Sequence, residues 1–115
     1  MEIQGIDVAF YHSNDIAESV RWYEDVLGLQ KVSDFGDWVE FNVAGARFGL
    51  DSGNTATEIP NAVVSFKVKD LEAALAELES KGVRPVSGVI DIGITRFAAV
   101  LDPSGNVVQF SEPRA

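Results

Sequence analysis

Carboxylate and aromatic side chains recur at alternating positions in two strand-like segments, residues 3–12 and 38–43. Asp7 and Tyr11 stand in the first segment, and Trp38 and Glu40 stand in the second. Because alternate residues of a strand share one face, each pair is expected to point to one side of a sheet. Two ionised carboxylates would attract a cation, and two rings would stack on a planar group. The pattern therefore indicates a pocket for a small cationic or aromatic organic molecule.

A second interpretation of the same residues needs no ligand. Glu40 can form an ion pair with Arg47 across adjacent strands, in which case the sheet face would be exposed to solvent and would bind no ligand. An amphipathic strand looks the same in both cases, so both interpretations stay open. The same alternation adds to the predicted cavity face Ala9, Asn42, Ser65, Lys67 and Ala98. The predicted ligand-binding residues are Asp7, Tyr11, Trp38, Glu40, Arg47, Arg96 and Gln109.

His12 is the only histidine, and imidazole is the natural acid–base group near neutral pH. Alternation groups it with Val8 and Phe10, on the face that a helix is expected to cover, so a structural role is predicted. The chain has no cysteine, which excludes disulfides, thiolate zinc sites and cysteine nucleophiles. It also lacks a phosphate-binding glycine loop and a nucleophile elbow. No catalytic residue is predicted.

A helix is predicted after the first strand. Asp15 is a typical N-cap, Glu18 three residues later completes a capping box, and Gly28 supplies a left-handed stop. The apolar residues of this helix recur at helical spacing and would cover one face of a sheet: Ile16, Val20, Tyr23 and Leu27. Further strands are predicted at residues 30–34, 38–43 and 47–51.

The same order of elements recurs in the second half, as an internal repeat of about 55 residues. A strand at 63–68 precedes the N-cap Asp70, and Gly82 ends a helix with the stripe Leu71, Leu75 and Leu78. Strands are predicted at 84–89, 95–101 and 107–111. Residues 52–61 are polar and are predicted to link the repeats. We expect one domain over residues 1–115, with modules at about 3–53 and 62–113.

The length and the net charge of the chain limit its domain organisation and its possible binding partners. A chain of 115 residues can bury one core but not two independent ones, so the repeats should share a sheet or a cavity. The net charge of −9 opposes binding to nucleic acid or anionic lipid. The amino terminus lacks a signal pattern, and no run approaches the roughly 18 apolar residues that span a bilayer. A soluble, cytoplasmic protein without nucleic-acid or membrane partners is expected.

Two motifs carry a resemblance to a known family. The run Arg-Trp-Tyr-Glu-Asp-Val-Leu-Gly-Leu stands at residues 21–29, and Asp-Pro-Ser-Gly-Asn-Val-Val-Gln-Phe stands at residues 102–110. With the repeated βαβββ order, the chain resembles the vicinal oxygen chelate superfamily of glyoxalase I, extradiol dioxygenases and bleomycin resistance proteins. The resemblance implies an α+β fold whose two modules form a curved mixed sheet around a cavity, usually in a homodimer. It says little about activity, because the superfamily includes both enzymes and drug binders.

The resemblance also implies where a metal would be held. Metal-dependent members place one ligand on the first strand and one on the last strand of each module. The matching positions here are Asp7, about Gly49, Val63 and Gln109. A catalytic ion needs three or more protein ligands, and glycine and valine supply no side-chain donor. No metal and no cofactor are therefore expected, and a set of Asp7, Asp51 and Gln109 would suit only a weakly held ion.

Metal-independent binding of a small organic molecule is the favoured function, in the manner of the drug-sequestering bleomycin-resistance branch. The alternative is a metal-dependent lyase, isomerase or dioxygenase with a non-standard ligand set. A third possibility is a scaffold with a closed cavity that serves assembly only.

Overall fold

The computed structural model describes residues 1–4, 6–53 and 63–114. These belong to two compact units, Met1–Ala62 and Val63–Ala115. The elements are β1 (Ala9–His12), α1 (Ile16–Asp25), β2 (Gln30–Asp34), β3 (Trp38–Val43), β4 (Ala46–Asp51), β5 (Val64–Lys67), α2 (Leu71–Ser80), β6 (Ile90–Asp91), β7 (Thr95–Leu101) and β8 (Val107–Pro113). In this described part, neither helix has the length and apolar character that crossing a membrane requires. Apart from Ser52 and Gly53, the predicted linker lies outside the described residues.

The first unit is a four-stranded sheet in the order β1-β4-β3-β2, with β1 parallel to β4 and the other neighbours antiparallel. Tyr23 of α1 packs on one face of it, with ring centroids 6.1 Å from Phe41 and 5.2 Å from Phe48. The buried side chains of this helix-side face are Tyr11, Val39, Phe41, Phe48 and Leu50. The strand registers place on the opposite face, here called the far face of unit 1, Phe10, His12, Trp38, Glu40, Asn42, Arg47, Gly49 and Asp51.

The second unit repeats the arrangement in the order β5-β8-β7-β6, with β5 parallel to β8. Its helix-side face buries Ala98, Val100, Val108 and Phe110 together with Leu71 and Leu78 of α2. The far face of unit 2 carries Ser65, Lys67, Ile90, Thr95, Phe97, Ala99, Leu101, Val107, Gln109, Ser111 and Pro113. The predicted α+β architecture with two βαβββ modules is confirmed.

Both helices begin directly after the predicted caps, and they end two or three residues before the predicted glycines, α1 at Asp25 and α2 at Ser80. Asp15 Oδ1 accepts a hydrogen bond from the backbone N–H of Glu18 at 3.2 Å, and Asp70 Oδ1 accepts one from Ala73 at 3.0 Å. Each bond satisfies a donor that has no partner within the helix. Gly28 and Gly82 follow the two helices with φ of 69° and 78°, a conformation that glycine adopts without a steric penalty.

Two strand predictions depart most from the structure. β1 begins at Ala9 and not at residue 3, because its partner β4 begins at Ala46 and Ala9 already lies beside Phe48. Residues near the amino terminus therefore have almost no strand to pair with, and Ile6 is 93% exposed. The strand predicted at 84–89 is replaced by the short β6 (Ile90–Asp91), because Pro85 lacks the N–H that a ladder requires.

Candidate functional site

Trp38 is the largest side chain of the far face of unit 1, and three neighbours hold it in place. The ring of Phe10 meets it edge-on, with centroids 5.2 Å apart and planes at 71°. Its Nε1–H donates to Glu40 Oε1 at 3.3 Å. The benzo ring covers Gly49, where a Cβ atom would lie only 2.5 Å from Trp38 Cζ2. The half-buried indole is therefore a fixed aromatic surface on this face.

Glu40 and Asp7 share one arginine. Arg47 donates to both carboxylate oxygens of Glu40 at 2.8 Å and to Asp7 Oδ1 at 2.8 Å. The hydrogen bonds from Arg47 hold the pKa of Glu40 below its ordinary value, and the two carboxylates raise the pKa of Arg47. The ion pair between Glu40 and Arg47, one of the two sequence interpretations, is present. Two carboxylates and one guanidinium leave one net negative charge in this group.

The prediction for Tyr11 is wrong. Tyr11 is fully buried on the helix-side face, where its ring meets Phe48 edge-on at 5.8 Å, so it belongs to the core and not to a ligand site. The face predicted for His12 is also wrong, since the β1–β4 register places it beside Asp51 on the far face. The structural role predicted for His12 stays a prediction. The alternation of β1 was read correctly, but the helix covers the side opposite to the one expected.

Arg96 is also misplaced by the sequence prediction. It lies on the helix-side face of unit 2 and donates to Glu72 of α2 at 2.5 Å and 2.7 Å and to Glu112 of β8 at 2.9 Å. These bonds lower the pKa of Glu72 and raise that of Arg96. Ala98, predicted for the cavity face, is buried on the same side. Arg96 therefore ties α2 to the sheet.

Gln109 lies on the far face of unit 2, half-buried, as the alternation predicts. Its Nε2–H donates to Ser65 Oγ at 3.0 Å, and the Ser65 hydroxyl donates to Ser111 Oγ at 2.9 Å. Three polar side chains from β5 and β8 thus form one hydrogen-bonded row.

The residues at the positions where metal-dependent members of the resembled superfamily hold their ligands do not fit a metal ion. Gly49 has no donor and lies beneath the indole of Trp38, while Asp7 is engaged by Arg47. Asp51 Oδ1 accepts from the backbone N–H of Gly53 at 2.9 Å. Among the described residues, carboxylates within 4.8 Å of one another occur at Asp70, Glu72 and Glu112. Arg96 and the backbone N–H of Leu71 already occupy that group, so it is part of the attachment of α2.

Two clefts of the first unit lie away from Trp38. One, of ≈ 430 Å³, lies between α1 and the β2–β3 hairpin, with Val20 and Val39 in its lining. The other, of ≈ 480 Å³, is lined by Glu2, Gln4, Ile6 and Asp7. We place the candidate site on the far face instead, because aromatic and charged side chains meet there, and neither cleft contains Trp38 or Glu40.

Two residues of this face were not predicted from the sequence: Phe10, as an aromatic neighbour of Trp38, and Gly49, which lies beneath the indole. A signal for Gly49 was present, because an isolated glycine inside a strand pattern often marks a close approach by another group.

The comparisons with known proteins agree on the fold. The family described as the Glyoxalase/Bleomycin resistance protein/Dioxygenase superfamily matches residues 5–110. The antibiotic-binding protein TnmS3 from Streptomyces sp. CB03234 is 21% identical, with a TM-score of 0.82 and 99% of each chain covered. A lactoylglutathione lyase from Agrobacterium tumefaciens is 21% identical, with a TM-score of 0.77 over 96% of this chain and 95% of its own. No curated protein is significantly similar in sequence. Identities this low establish a common fold and no common activity.

Proposed function

Because the chain belongs to the Glyoxalase/Bleomycin resistance protein/Dioxygenase superfamily, whose members differ in activity, we propose a function from its own side chains. The protein binds a small aromatic, cationic organic molecule on the far face of unit 1, without a metal ion and without breaking a bond.

The observation that carries this proposal is the fixed position of Trp38. Phe10, Glu40 and Gly49 hold its indole from three directions, so little side-chain freedom is lost when a ligand stacks on it. Stacking on a ring contributes about 0.5–1.5 kcal/mol beyond the apolar area that it buries.

The charge of the same face favours a cation, but less strongly than two free carboxylates would. Arg47 compensates one of the charges of Asp7 and Glu40, and Asp51 adds a further carboxylate to the face. A cation over an aromatic face gains about 0.5–2 kcal/mol, so we expect a cationic ligand to bind about tenfold more tightly than its anionic counterpart. An antibiotic-binding neighbour shares this fold, so the fold is compatible with this kind of function.

A titration followed by tryptophan fluorescence tests the proposal. Matched aromatic compounds that differ only in an ammonium or a carboxylate group should quench the protein, with the cation effective at lower concentration. The chain has two tryptophans, so Trp38→Phe should abolish the response and Trp22→Phe, in α1, should preserve it. Equal binding of the two compounds would contradict the charge argument. A response that survives Trp38→Phe would place the ligand elsewhere.

The alternative function, a metal-dependent lyase, isomerase or dioxygenase, requires a bound metal ion. The residues at the expected ligand positions do not fit such an ion. A lactoylglutathione lyase has this fold, so the alternative is tested directly by elemental analysis after dialysis against trace metals. We expect less than one transition-metal ion per chain. One tightly held ion per chain, lost in Asp7→Ala, would favour the metal-dependent enzyme over the proposed binding function.

A further inference from the structure

The far face of unit 2 has a different charge from the rest of the chain. Lys67 is the one charged residue among those that the registers place on this face, although the net charge of the chain is −9. The ion pairs between described residues use Lys31, Arg47, Arg96 and Arg114 as cations, and none uses Lys67. Its exposed ammonium group is therefore available to a ligand.

Ser111, which the register pairs with Lys67, offers a hydroxyl donor on the same face. Ser65 accepts from Gln109 and donates its single proton to Ser111 Oγ, so the proton of Ser111 is directed away from Ser65. Among the described residues, the Ser111 hydroxyl donates to none. A second donor is therefore available on the same face.

The sheet register sets what surrounds Ser111. Lys67 of β5 lies directly opposite it on one side, and Phe97 of β7 lies directly opposite it on the other. Side chains at such paired positions stand side by side on one face of the sheet. Ile90 is paired with Phe97 and extends the apolar part of the face.

We propose that Lys67 and Ser111 bind the carboxylate of an aromatic acid, with the ring of the ligand on Phe97 and Ile90. An ionised carboxylate accepts from an ammonium and a hydroxyl at once, and such charge-assisted bonds are stronger than neutral ones. This site uses no residue of the far face of unit 1, so it can fail without affecting the proposed function, and the reverse also holds.

Benzoate, benzamide and benzylammonium are suitable probes, followed by two-dimensional amide NMR of the whole protein. Benzoate should give saturable shifts at the amides of Lys67, Gln109 and Ser111, with an affinity at least about tenfold above that of benzamide and benzylammonium. Lys67→Met should weaken benzoate binding by about tenfold. Lys69→Met is the matched control, because it removes the same charge two residues further along, in the connection to α2, and should leave the affinity within about twofold.

Three results would overturn the proposal. Benzamide could bind as tightly as benzoate, the two lysine variants could weaken benzoate binding equally, or the amides of Lys67 and Ser111 could show no shift. Ser111→Ala provides a second test. Weaker benzoate binding, with the amide spectrum unchanged elsewhere, supports a direct hydrogen bond from Ser111 to the carboxylate. Unchanged benzoate binding contradicts that hydrogen bond.

Discussion

At the scale of single residues, Gly49 and Trp38 act as a pair. The absence of a side chain at Gly49 is what lets the indole lie against the sheet, and the indole in turn covers the position that the family resemblance assigns to a metal ligand. One residue therefore accounts both for the aromatic surface and for the poor fit of a metal at this position.

Gly49→Ala should displace Trp38, because the new methyl group would overlap the benzo ring. We expect a loss of about 1–3 kcal/mol in the free energy of unfolding and a shift in the emission of Trp38. Gly88→Ala is the control, since a Cβ atom there meets no atom within 4 Å. Chemical denaturation of both variants tests this prediction. Similar free energies of unfolding for the two variants would show that Trp38 can move away from residue 49 without destabilising the protein.

Neighbouring residues of β1 should differ sharply in their effect on stability. Tyr11 is fully buried and Phe10 is 43% exposed on the opposite face. Tyr11→Ala should cost about 3–5 kcal/mol, whereas Phe10→Ala should cost less and instead change the fluorescence of Trp38. If Phe10→Ala proved the more destabilising in urea denaturation, the assignment of the two faces would be reversed.

At the scale of elements, Arg96 joins three of them. It lies on β7, and its guanidinium binds Glu72 of α2 and Glu112 of β8. Glu112 Oε1 also accepts from the backbone N–H of Leu71 at 2.8 Å, which satisfies a donor in the first turn of α2. The amino end of α2 is thus attached to the sheet by charged hydrogen bonds in addition to its apolar face.

This attachment should depend on pH. Arg96 lowers the pKa of Glu72 below its ordinary value of 4.5, so the stabilisation is present above that value and is lost as pH falls through the lowered pKa. The difference in unfolding free energy between the parent and Arg96→Met should therefore be larger at neutral pH than at about pH 3. Arg84→Met, an exposed control, should give a small difference at both. If the loss of unfolding free energy caused by Arg96→Met became larger at acidic pH, the stabilising role assigned to the Arg96–Glu72 ion pair would be contradicted.

At the scale of the whole molecule, we expect a homodimer. The described residues expose large apolar side chains in the second unit, including Ile92 at 58% and Ile94 at 75%, and members of the family usually pair. Each chain carries a net charge of −9, so salt should strengthen pairing by screening the repulsion. Light scattering at tens of micromolar protein tests this, and a monomeric mass at both low and high salt would exclude the dimer.

The local elements were determined by the sequence. The caps at Asp15 and Asp70, the glycine stops and the repeated order of helix and strands all follow from residues within a few positions of one another. Helix capping and the alternation of side chains along a strand depend only on residues within that short range. These features can therefore be predicted from the sequence before the tertiary structure is known.

Tertiary structure alone decided which face each helix covers and which charges meet. Tyr11 and His12 alternate correctly in the sequence, yet only packing against Phe48 shows which one is in the core. Arg47 meets Asp7 across 40 residues, and Arg96 meets Glu72 across 24. Alternation gives the two sides of a strand but does not say which side is buried, because burial depends on contacts between segments that are distant in the chain.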